Sequence, residues 1–174
     1  MDDKEKGGDH GKQAELERLQ KKANALVNER NKSWLPVYRD LRAYISPYSA
    51  QFEGDITNSG ERRDQRINNP KPIRSSERLA AGMSSGMSSK SRPWFEVVRP
   101  KDAKDTMPVR RWLYAVQSAL RTTLSKTNLY ESLEQVYKSQ GIYGTAAMLC
   151  VPHKDEVIRF THYPCGRYCL ATND

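Results

Sequence analysis

LAAGMSSGMSSKSRPWFEVV, Leu79 to Val98, decides how this chain is read: a helix of small residues running into a basic segment anchored by Pro93, Trp94 and Phe95. Gly82 and Gly86 lie four residues apart, on one helical face with Ser89 close by, where another backbone can approach closely. Leu79, Met83 and Met87 form an apolar stripe beside that groove. Two glycines inside a helix cost roughly 1 kcal/mol each relative to alanine, so close contact must recover the loss. That contact is either a helix crossing inside one domain or a joint in a larger assembly. Ser75 and Ser76 are candidate caps, and Pro93 is expected to end the helix and launch Trp94 to Val98 as a strand.

Downstream, Val109, Trp112, Leu113, Val116, Leu120 and Leu124 keep a helical period, and Leu129, Leu133, Val136 and Tyr137 define a further helix closed near Gly141. Thr145 to Val151 and Val157 to Tyr163 read as a hairpin around residues 153–156, with Tyr168 to Ala171 as a possible third strand. Upstream, residues 47–73 hold Pro47, Gly54, Gly60, Pro70 and Pro72 with few aliphatics and read as a loop or arm. Before it, Leu16, Leu19, Ala23 and Leu26 follow a three-four spacing. Trp34, Leu35, Tyr38, Leu41 and Ile45 extend an apolar face to the Ser46–Pro47 step, so residues 12–46 are expected to form a bent helix or helical hairpin. Residues 1–11 lack any apolar period and are expected to be disordered. The fold class is therefore α+β, mainly helical with a small antiparallel sheet.

A chain of 174 residues, 37% hydrophobic, can bury one core. Its mean hydropathy of −0.84 and lack of a run near 20 apolar residues exclude a spanning helix. Three cysteines clustered at Cys150, Cys165 and Cys169 make no disulfide framework. The net charge of +8 is unevenly placed: residues 61–126 carry fifteen basic and six acidic side chains, whereas residues 1–60 carry ten of each. Arg62, Arg63, Arg66, Lys71, Arg74, Arg78, Lys90 and Arg92 belong to this belt, which suits either a polyanionic partner, through counterion release, or simple solvation.

The wording of the central stretch is more specific than its spacing. Leu79-Ala-Ala-Gly-Met-Ser-Ser-Gly-Met-Ser-Ser followed by Ser91-Arg-Pro-Trp-Phe resembles a segment of the head-to-tail connecting (portal) proteins of short-tailed bacteriophages. Trp112-Leu113 with Ala115-Val116 is similar to that family's next amphipathic helix. Ser125-Lys-Thr-Asn-Leu-Tyr resembles its helix boundary, Gly141-Ile-Tyr-Gly-Thr-Ala-Ala-Met-Leu the strand that follows, and Val157-Ile-Arg-Phe with Pro164 and Gly166-Arg-Tyr its hairpin. The resemblance runs from about Arg62 to Asp174.

It implies a subunit of a ring, typically of twelve copies, at one capsid vertex, through which double-stranded DNA is packaged and ejected. The terminase large subunit, a tail adaptor protein, and the major capsid and scaffold proteins would be partners, in the host cytoplasm during assembly and then in the virion. Residues 74–174 would form a wing-like region, the channel stem and clip lying outside this N-terminal portion. Gly82, Gly86, Met83, Met87 and Trp94 would then be subunit-packing candidates. Arg62, Arg63, Arg66, Lys71, Arg74, Lys90 and Arg92 would contact DNA or acidic partners.

Other chemistry finds less support. Cys150, His153, His162, Cys165 and Cys169 are residue types that zinc prefers, but a turn at 153–156 places Cys150 opposite Arg159 and His162 opposite Ala147, which separates the halves of such a site. No metal or other cofactor is expected. The Gly82–Gly86 segment lacks the Gly-Lys-Ser/Thr of a phosphate-cradling loop. The serines at 84, 85, 88 and 89 have no nearby histidine in sequence, and the carboxylates are scattered beside basic residues, so no enzyme is expected. The alternative reading is a basic nucleic-acid-binding or scaffold adaptor module that forms no ring.

Overall fold

The computed structural model describes residues 3–49, 52, 62–100, 102 and 105–171, with side chains from residue 12 onward. Among them are five helices, α1 (Asp3–Ser33), α2 (Leu35–Ile45), α3 (Lys71–Met87), α4 (Met107–Lys126) and α5 (Leu129–Tyr143), then strands β1 (Ala147–His153) and β2 (Val157–Tyr163). The chain is α+β, mainly helical with one antiparallel pair.

α1 begins at Asp3, inside the stretch expected to be disordered. It joins α2 with a single break at Trp34, whose N–H still reaches Arg30 O at 2.9 Å while Tyr38 N–H reaches Trp34 O at 3.0 Å. Pro36, in the first turn of α2, needs no intrahelical donor there and marks the bend. Of the two arrangements the sequence allowed, the bent helix is the one present. α2 stops at Ile45, before the Ser46–Pro47 step.

The core sits where α2 meets the end of α5. Leu35, Phe52, Ile142, Tyr143 and Cys165 are buried together, with Tyr38, Leu41 and Ile45 packed against them. Tyr143 stands edge-on to Tyr38 at 5.8 Å and to Phe52 at 6.5 Å, the perpendicular geometry that ring quadrupoles favour. Arg30, at the end of α1, donates to Gly166 O at 2.7 Å and Tyr168 O at 3.3 Å and so ties the chain beyond β2 to this core. α5 closes at Gly144, whose φ of 74° is the left-handed cap that glycine adopts without a Cβ penalty.

Four details depart from the sequence reading. α3 starts at Lys71, with Pro72 in its first turn, and Asn69 Oδ1 accepts from Lys71 N–H at 2.9 Å. Ser75 and Ser76 are thus inside the helix, and Ser76 Oγ donates back to Ile73 O. α3 ends at Met87, before Pro93. Trp94 to Val98 is not a strand: Phe95 and Val97 are half-buried and their neighbours exposed, a period of two, but Val97 N–H bonds the Gln117 side chain instead of a strand. No third strand forms at Tyr168 to Ala171 among the described residues.

The fourth is the hairpin register, shifted by one. His153 faces Val157 across a three-residue loop, so Cys150 lies opposite Phe160 and His162 opposite Met148. An odd loop length has a local cause: His153 Nδ1 accepts from the N–H of Asp155 and of Glu156 at 3.3 Å each, and Val157 re-enters the strand at a φ of 65°.

Candidate packing face and basic surface

α3 packs on α5 through a row spaced at three and four residues: Ile73, Ser76, Ala80, Ser84 and Ser88. Ala80 and Ser88 are buried, and Tyr137 donates its hydroxyl proton to Ser88 Oγ at 2.9 Å. On α5, Gly141 faces the side chain of Leu79. A Cβ built at Gly141 would lie 3.0 Å from Leu79 Cδ2. The sequence marked Gly141 as a helix end and as part of the family resemblance, not as a packing contact.

Gly82 and Gly86 take no part in this crossing. They lie on the other side of α3, exposed, with nothing within 4 Å of a Cβ built at either. Leu79 and Met87, on the flank between the two faces, are 49% and 60% exposed, and Met83 is half-buried. Within the chain, then, the small-residue groove is an open face, and the intramolecular joint uses Ala80, Ser88 and Gly141. Trp94 is 39% exposed and edge-on to Phe95; its Nε1 donates to Tyr130 Oη at 3.3 Å, which holds the connecting segment against the start of α5.

The basic residues divide by their local partners. Arg62 donates from Nε to Asp64 at 2.8 Å, and the guanidinium holds the Asp64 carboxyl below its ordinary range. Arg92 donates to Ser85 O at 2.8 Å, a cation on the last turn of α3, where the helix dipole favours one. Lys90 Nζ sits 5.8 Å from the centre of the Tyr130 ring, within cation–π range. Arg63, Arg66, Lys71, Arg74 and Arg78 are exposed and have no carboxylate partner among the described residues. Lys71 and Arg74 stand in the first turn of α3, which contains no acidic residue, so they add to the positive end of its dipole instead of offsetting it.

Asn128 and Arg30 carry structural jobs that periodicity alone does not announce. Phe160 N–H donates to Asn128 Oδ1 at 2.9 Å, and Asn128 Nδ2 donates to Phe160 O at 2.7 Å. The amide thus occupies the outer edge of β2 as a third strand's peptide group would. Ser132 Oγ adds a bond to the same carbonyl at 3.2 Å. The thiols and imidazoles form no group able to hold a metal ion among the described residues. Cys165 is buried beside Tyr143, and burial pushes its thiol up to about 11. His162 Nε2 bonds Ser139 Oγ at 2.9 Å, and burial lowers its value.

Residues 16–174 match the family described as "Bacteriophage head to tail connecting protein". The chain is 37% identical over 162 residues to a portal protein of Salmonella phage epsilon15, covering 92% of this chain and 29% of that protein. It is 29% identical over 163 residues to a probable portal protein of Bordetella phage BPP-1, covering 93% of this chain and 29% of that protein. It therefore spans under a third of the length of the curated relatives it matches.

Proposed function

The chain belongs to the bacteriophage head-to-tail connecting family, and from that premise we propose that it forms part of a portal subunit whose work is geometric. Copies, twelve in the closed ring, stand at one capsid vertex and wall a passage for double-stranded DNA during packaging and ejection. Identical subunits close such a ring through heterologous contacts, each using two different surfaces. The ring performs no chemistry itself. The terminase large subunit and the tail adaptor use it as a platform, and the major capsid and scaffold proteins surround it.

The observation that carries this reading is the open face of α3. Two exposed glycines inside a helix, with exposed Met87 beside them, meet no packing partner among the described residues. Close approach of a neighbouring subunit gives them one. Met83 borders the same joint, and Trp94, 39% exposed, supplies a further subunit contact. The basic residues work elsewhere, because a positive lining repeated round a channel would hold phosphates and oppose sliding. Arg62, Arg63, Arg66, Lys71, Arg74 and Arg92 face outward or into the capsid, toward packaged DNA or acidic surfaces of shell and scaffold.

Gly82→Leu and Gly86→Leu in the intact gene product test the joint. A Cβ at either position meets nothing within 4 Å among the described residues, so both variants are expected to fold. The expected result is folded subunits with no rings in electron micrographs. Normal rings from both variants would refute the packing role.

A further inference from the structure

Between α4, the start of α5 and the segment that links α3 to α4 lies a cavity of about 350 Å³. Among the described residues two cations line it, Lys90 and Arg121, and no carboxylate does. Neither cation has an ion-pair partner among the described residues. Like charges facing one cavity repel, and nothing acidic offsets them here. Lys90 is steered by the Tyr130 ring beneath it.

The neutral groups in the cavity are set as donors. Gln117 Oε1 is occupied as an acceptor by Val97 N–H at 3.3 Å, which turns the amide's NH₂ into the group available for a ligand. Tyr130 Oη accepts from Trp94 Nε1 at 3.3 Å, so its own proton remains to be given. Thr122 and Ser125, also in the lining, donate back to the helix carbonyls of Ser118 and Thr122 at 2.9 Å, as helical hydroxyls do. An ammonium, a planar guanidinium fork, an amide and a phenol therefore belong to residues that line one space, with no carboxylate among its described lining residues. A tetrahedral oxyanion that only accepts hydrogen bonds is the ligand class they suit, and the guanidinium fork favours phosphate.

We infer that this cavity is a phosphate site, gripped by Lys90 and Arg121 and oriented by Gln117 and Tyr130, and that the phosphate it takes belongs to a nucleic-acid backbone. The second half of that inference rests on the connector reading; the site itself does not. Arg121 is the added residue: it lies at the far end of α4 from the Arg110–Asp105 pair, within the basic stretch 61–126 but not among the candidates named from the sequence.

Two measurements on the full chain test the site. In the first, the affinity for a short labelled DNA duplex is followed against salt for the unaltered chain, for Lys90→Gln with Arg121→Gln, and for Lys154→Gln on the hairpin turn. Each phosphate contact contributes about 0.9 to the slope of log affinity against log salt, so the double variant should lose about 1.8 while Lys154→Gln keeps the original slope. In the second, inorganic phosphate is titrated while the Arg121 Nε–H and Tyr130 ring resonances are followed. Arg121→Lys should keep the charge and weaken binding, because the fork is lost. A reduced slope supports the backbone assignment. Phosphate shifts with an unchanged DNA slope keep the site and assign it to free phosphate. No shift and no change of slope overturn it. Ring formation by the double variant is scored separately, since intact rings with an altered slope leave the subunit reading standing, and lost rings with phosphate binding retained leave the site standing.

Discussion

Replacing Asn128 should release the hairpin from α5. The side-chain amide makes two bonds to the Phe160 backbone, at 2.7 and 2.9 Å, and it does so at the edge of β2 that faces away from β1. Phe160 itself is buried, so water does not fully replace what Asn128→Ala removes. A net hydrogen bond is worth about 1 kcal/mol, and an amide left unpaired costs more, which gives a loss of about 2–3 kcal/mol. For a chain of this length that corresponds to a fall in Tm of roughly 4–12 °C. Asn128→Asp separates the two bonds. It keeps the acceptor for Phe160 N–H but sets a carboxylate oxygen against Phe160 O, a contact that raises the carboxyl's folded value above its unfolded one. Stability relative to the unaltered chain should then be recovered as pH falls through that raised value, because protonation restores a donor, and lost as pH rises through it. Urea melts of both variants across pH measure this directly. An Asn128→Ala chain within about 0.5 kcal/mol of the original, the scale of an inconsequential surface change, would refute the claim that this amide closes the sheet edge.

Gly82→Ala and Gly86→Ala should each stabilise the isolated chain by about 0.5–1 kcal/mol, since a methyl group meets nothing and helix propensity improves; a loss in denaturant melts would mean that the face is covered. His162 has a folded value lowered by burial, so the unfolded chain takes up its proton first. Unfolding free energy should accordingly be fully present above the unfolded value of about 6.5 and decline as pH falls below it toward the folded value, and His162→Gln should flatten the profile in that window. Thiol labelling at pH 8 should modify exposed Cys150 well before buried Cys165, whose value is pushed up to about 11; equal rates would contradict the burial of Cys165 in the core.

The helices from α3 onward and the hairpin were legible because their signals are local. Val109, Leu113, Val116 and Leu124 keep the helical period, and two alternating runs flank a polar turn. The features the sequence concealed depend on distant partners. Trp94 to Val98 alternates as a strand would, but a ladder needs a second backbone and Gln117 is what Val97 meets. The hairpin register turned on His153, whose ring caps the loop and sets its length at three residues, which no propensity specifies. Gly82 and Gly86 led to the expectation of a close approach, yet among the described residues nothing lies within 4 Å of a Cβ at either; α3 meets α5 instead through the Ala80 and Ser88 row, with Leu79 against Gly141. Asn128 showed in the sequence only as part of a resemblance, and its pairing with Phe160, 32 residues away, gives that asparagine a physical reason.

The surface of the chain argues in the same direction as the open face of α3. α4 is a helix of 20 residues with none buried, on which Trp112 and Tyr114 are 64% and 77% exposed. Scattered apolar residues on a surface need no explanation, but aromatics on a helix whose other flank is only half-buried leave that helix under-supported by its own chain. A helix of this kind gains most of its stability from packing, not from propensity. On the proposed reading the support comes from the neighbouring copy in a ring. The fold of one subunit and the closure of the assembly are then a single equilibrium, and Trp112→Ala, which removes no contact from the buried core, should weaken ring formation more than it weakens the isolated chain.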